Sequence, residues 1–66
     1  MMDEKERIIR WIRYRIRSLG MLEVQRILEE KYMSVLDEME IDELKRLEEM
    51  LRMDDWSLRR KLLEED

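Results

Sequence analysis

The chain has 66 residues and a net charge of −4, with 48% of its residues charged, one glycine, and no proline, cysteine or histidine. That length holds one small domain, residues 1–66, and the missing histidines and cysteines exclude thiol catalysis, disulfides and the usual zinc sites. No apolar run approaches the roughly 20 residues of a membrane span, and Met1-Met2-Asp3-Glu4-Lys5 has no signal-peptide core, which predicts a soluble cytoplasmic or intracellular protein.

The apolar residues are all large: there is no alanine and no phenylalanine. Their burial roughly balances the entropy of ordering so short a chain, so the domain is expected to pack well, self-associate or lean on a partner. High charge without asparagine, histidine or cysteine is the composition of a hyperthermophile protein or an idealised de novo design.

Ile8, Ile12, Ile16 and Leu19 recur at steps of four, four and three, with Ile9 and Trp11 widening the stripe, and predict an amphipathic helix over 3–18. Asp3, Glu4 and Glu6 begin it and Arg15 and Arg17 end it, as the helix dipole favours. Arg7, Arg10, Arg13 and Arg17 share one side with Tyr14 among them, a basic, aromatic-edged face. Such a face suits pairing with acids inside the fold, contact with an acidic protein surface, or contact with nucleic acid through phosphates and base stacking. Residues 1–18 carry six basic and three acidic side chains and residues 19–66 eight basic and fifteen acidic. The acidity of the whole weighs against nucleic acid.

Gly20 stands between this helix and the next pattern. As the only glycine it is expected to close the first helix with a positive φ and to act as a hinge. Met21, Val24, Leu28, Tyr32, Val35 and Met39, with Leu22, Ile27 and Leu36 beside them, predict a second helix over 21–36, with Glu23 in its first turn. The five-residue step from Met39 to Leu44 shifts the phase, which favours a turn at Leu36 to Glu40 over one long kinked helix. Leu44, Leu47 and Leu51 predict a third helix over 41–52. Asp54-Asp55 reads as the start of a fourth over 55–63, carrying Trp56, Leu58, Leu62 and Leu63. Glu64-Glu65-Asp66 lie at the wrong end of that dipole and are expected to fray. The expected fold is all-α, a small bundle of three to four short helices hinged at Gly20.

No nucleophile–base pair can be assembled from Ser18, Ser34, Ser57 and two tyrosines without histidine or cysteine, so no catalytic residue and no cofactor is expected. The carboxylate pairs Glu29/Glu30, Glu48/Glu49 and Asp54/Asp55 read as solvated helix faces, and no metal site is expected. Met21, Met33, Met39, Met50 and Met53 fall at helical spacing and read as core, with an adaptable binding groove as the alternative.

From Gly20 onward the order of features is similar to a known family. Gly20-Met21-Leu22-Glu23, the helix with Tyr32, and Met50-Leu51-Arg52-Met53-Asp54-Asp55-Trp56-Ser57-Leu58 resemble the SdhE-type succinate dehydrogenase assembly (flavinylation) factors. Those are small helical bundles with an Arg-Gly-x-x-Glu signature and a third helix leading into Asp-Asp-Pro-Asp-Leu. Leu19 stands where the signature has arginine, Gln25 where aspartate is common, and Trp56 where proline usually lies. The resemblance implies docking on a flavoprotein subunit and promotion of covalent FAD attachment, with Gly20 and Glu23 on the contact surface, Arg17 as a substitute for the signature arginine, and Asp54 and Asp55 as helix caps. Arg10, Arg13 and Tyr14 extend the expected partner surface along the first helix. The competing expectation is a self-associating structural or adaptor bundle; nucleic-acid contact through the arginine-rich helix is a minor third.

Overall fold

The structure, a computed structural model, describes residues 3–64. Among these, four α-helices and no strands are present: α1 Glu4–Arg17, α2 Leu22–Leu28, α3 Ile41–Leu51 and α4 Asp55–Glu64. Between α2 and α3 lie a π-helical turn, Glu29–Met33, and a 3-10 turn, Leu36–Glu38. The all-α bundle expected from the periodicity is present.

Local chemistry sets the helix ends. Asp3 caps α1 by accepting the Glu6 backbone N–H at 2.8 Å, an interaction worth about 1 kcal/mol. At the other end the Ser18 N–H donates to the Tyr14 carbonyl at 3.0 Å. Glu43 reaches back to accept the Glu40 N–H at 3.3 Å at the start of α3, and Asp54 accepts the Ser57 N–H at 2.7 Å at the start of α4.

Among the described residues the core is built only from isoleucine, leucine and valine. Ile8, Ile9, Ile12 and Ile16 of α1 and Leu19 meet Leu44, Leu47 and Leu51 of α3, while Val24 and Leu28 of α2, Leu36, and Leu58 and Leu62 of α4 complete the cluster. The main helix pairing is α1 against α3, with α2 packing on both α1 and α4. The molecule measures 35 × 21 × 19 Å.

Three expectations need correction. Gly20 does not take a positive φ. The chain turns there because Ser18 ends α1 and Leu19 drops into the core, leaving Gly20 exposed in a bend. The second helix is not α-helical through 36: it stays α for seven residues and then widens into the π turn. A row spaced by four, such as Val24, Leu28, Tyr32 and Leu36, drifts about 40° per step on an α-helix, and the wider turn takes up that drift so that Leu36 still reaches the core. Finally, no methionine among the described residues is buried in the core. Met21, Met33, Met39 and Met50 are half-buried against its edge, because the branched residues already fill the interior.

The turn expected at Leu36 to Glu40 is the 3-10 segment followed by an extended Met39. Helix α4 reaches Glu64, and the fraying expected of Glu65 and Asp66 falls outside the described residues. Among the described residues no helix is long and apolar enough to cross a membrane.

Candidate functional site

Arg15 organises one corner of the bundle. Its Nε donates to the Leu51 carbonyl at 2.8 Å, and its Nη2 donates to the Met53 carbonyl at 3.0 Å and to Asp55 Oδ1 at 2.9 Å. The carbonyls at a helix C-terminus lack intrahelical partners and carry partial negative charge, so a cation from α1 is well placed at the end of α3. Asp55, the first residue of α4, satisfies the same guanidinium. One side chain thereby fixes α1, the end of α3 and the start of α4.

Asp54 and Asp55 divide the work that the resemblance assigned to both. Asp54 is the cap. Its carboxyl is held below the ordinary aspartate pKa first by the Ser57 backbone N–H, then by the Ser57 hydroxyl, with the Trp56 N–H adding to the effect. Asp55 is instead the partner of Arg15.

Gly20 lies beside this clamp. A Cβ on Gly20 would sit 3.7 Å from Asp55 Oδ2, ordinary van der Waals contact. Glu23, at the start of α2, approaches Arg59 of α4 at 3.9 Å across the gap between the two helices. Leu22 is 69% exposed and Trp56 73% exposed. Trp56 and Arg59 are three residues apart and therefore neighbours on the surface of α4. Leu22, Glu23, Arg26 and Ile27 of α2 and Glu30 of the π turn line an open groove of about 580 Å³. The corner thus presents Leu22 and Ile27 beside a loosely engaged acid, with Trp56 exposed on the neighbouring helix.

The remaining expected site residues lie on α1. Arg10, Tyr14 and Arg17 are exposed on its outer face, with Tyr14 69% exposed. Arg13 is turned to the side, where it pairs with Asp37 at 3.3 Å, and Lys5 donates to the Asp37 carbonyl at 3.2 Å. The arginine-rich helix therefore does pair in part with the acidic remainder, whereas Arg7 and Arg17 make no ion pair among the described residues. Trp11, on the opposite flank, lies under the Arg52 guanidinium at 5.3 Å. Gly20 and Glu23 come together; Arg10, Arg13, Tyr14 and Arg17 form a separate, adjoining face.

A third feature is a groove of about 590 Å³ lined by Tyr32 of the π turn, Met39, Leu47, Met50 and Met53, with Glu43, Arg46, Glu49 and Lys61 at its edge. Of the five methionines singled out by spacing, it gathers three. Among the described residues no group of three or more carboxylates is arranged to hold a metal ion.

Sequence reasoning passed over Arg15, Trp56 and Arg59 as surface or site residues. Arg15 had a legible signal: it continues the row Ile8, Trp11, Arg15 along the border of the apolar stripe, where a long cation reaches a neighbouring helix end. Trp56 and Arg59 had none, because the outward side of α4 is fixed only by which residues it buries. In comparison with known proteins, no family model, curated protein or solved structure matches the chain.

Proposed function

We propose that the chain is a non-enzymatic protein-docking factor, and that its contact surface is the corner formed by Gly20, Leu22, Glu23, Trp56 and Arg59. The observation that carries this reading is the exposure of Leu22 beside Glu23 and of Trp56 one turn before Arg59, with Glu23 and Arg59 paired only at 3.9 Å. Apolar and aromatic anchors ringed by polar groups are the usual energetic centre of a protein interface. The corner is also rigidified by the Arg15 clamp, which lowers the ordering cost of binding.

The partner follows from the sequence resemblance: a flavoprotein subunit of the succinate dehydrogenase type. In this reading the chain contributes no chemistry of its own. It docks and stabilises the flavoprotein conformation that reacts with its FAD. Leu19, where the signature has arginine, is buried, so the signature cation cannot be supplied from that position without burying a charge. Arg17 is exposed and makes no ion pair among the described residues, and it takes over that role.

A pull-down with the flavoprotein subunit tests the reading. The parent chain is expected to be retained, and Glu23→Ala and Trp56→Ala each to weaken retention about tenfold or more. Absence of retention of the parent chain overturns it. Self-association is the second reading, favoured by the unpartnered Leu22, Trp56 and Leu63. Light scattering over a range of concentrations separates the two: a tight dimer insensitive to Glu23→Ala but broken by Trp56→Glu supports the second.

A further inference from the structure

The outer face of α1 carries Arg7, Arg10, Tyr14 and Arg17 at steps of three, four and three, all exposed. On an α-helix these positions form one row about 15 Å long, because each residue rises about 1.5 Å. The fold draws on the cations beside this row and not on its ends. Arg13 is committed to Asp37 and Arg15 to the α3 carbonyls and Asp55, whereas Arg7 and Arg17 make no ion pair among the described residues.

We infer that this row is a docking strip for an acidic helical segment of a protein partner, with carboxylates matching Arg7 and Arg17 and an apolar side chain resting on Tyr14. Charge complementarity argues for that occupant. Residues 1–18 hold six of the fourteen basic side chains and only three of the eighteen acidic ones. Opposed potentials of this kind orient a partner and raise its on-rate. A single exposed aromatic between arginines suits one apolar contact on an acidic helix. It offers no successive stacking platforms for a nucleic-acid strand, and the acidic remainder of the chain repels a long polyanion. The inference rests on the protein-docking reading only in taking the occupant to be a protein. The surface adjoins the Gly20–Glu23 corner and shares Arg17 with the flavoprotein contact.

The test is a fluorescence-anisotropy titration with a labelled helical peptide of about 16 residues carrying glutamates at three- and four-residue spacing around one central leucine. Saturable binding is expected at about 20 mM salt, weakened about tenfold or more at about 200 mM. Arg7→Gln/Arg17→Gln is expected to lower affinity about tenfold and Tyr14→Ala about threefold, with unchanged helical circular dichroism, while Arg46→Gln on α3 leaves binding as it is. No saturable binding at low salt overturns the inference. So does binding that the double variant leaves intact, or tighter binding of an oligothymidylate of matching length. Because the probe does not require the Gly20–Glu23 corner, its failure is distinct from a failed flavoprotein pull-down.

Discussion

The Arg15 guanidinium meets the Asp55 carboxylate at 2.9 Å while also donating to the Leu51 and Met53 carbonyls. Three helices depend on this one side chain, whose own exposure is 20%. Charge-assisted hydrogen bonds in partly buried positions contribute about 1.5–3 kcal/mol. Arg15→Gln is therefore expected to cost about 2–3 kcal/mol in urea denaturation, and Asp55→Asn about 1 kcal/mol. A double-mutant cycle should return a coupling of at least about 0.5 kcal/mol. Additive effects would mean that Arg15 acts only through the α3 carbonyls.

Gly20→Ala separates two accounts of the turn. With no positive φ and room for a Cβ beside Asp55, alanine restricts the unfolded chain without straining the folded one. Stability is expected to rise by about 0.4–1 kcal/mol. A loss of similar size, read as a lowered Tm, would restore the left-handed turn that the sequence predicts.

Acid weakens the start of α4. Asp54 has a folded pKa below its ordinary value, so the folded state favours the ionised form. Its contribution is complete above the ordinary aspartate pKa of about 3.9 and is lost as pH falls through the lower folded value. A Tm series from neutral pH downward should decline over that window. Asp54→Asn should flatten the acid limb of the curve, and an unchanged limb would assign the decline to other carboxylates.

Leu44 is fully buried where α1 meets α3. Leu44→Ala is expected to cost about 2–5 kcal/mol, a large part of the stability of so small a domain. Circular dichroism should show a much lower Tm or loss of cooperative melting. The exposed Leu22→Ala should change stability by less than about 0.5 kcal/mol.

How far the sequence was legible depended on whether a pattern was local. The core rows of α1 and α3 follow directly from Ile8, Ile12, Ile16 and Leu44, Leu47, Leu51, because helical period and burial coincide there. The Asp54 cap is equally readable, since it acts on a backbone N–H three residues on, whereas Asp3, expected inside the first turn, is itself the cap of α1. The π turn was not. It answers a drift of the apolar row that matters only once Leu36 has a core to reach.

Methionine spacing reads as core because sequence periodicity identifies a face, not a depth. Met39, Met50 and Met53 lie on the correct side and stop at the edge of a groove. The candidate site was half legible. Gly20 is marked as the only glycine and Glu23 by the resemblance to an Arg-Gly-x-x-Glu signature, whereas Arg59 reaches that corner only through the packing of α4 on α2. Leu19, the position of the signature arginine, is occupied by a core leucine.

Hydrogen–deuterium exchange on the chain mixed with a flavoprotein subunit of the succinate dehydrogenase type tests the central claim most directly. Slowed exchange is expected at residues 20–27 and 55–60, abolished by Glu23→Ala, with α3 unchanged. Protection confined to the groove around Met39, Met50 and Met53, or none anywhere, would contradict it.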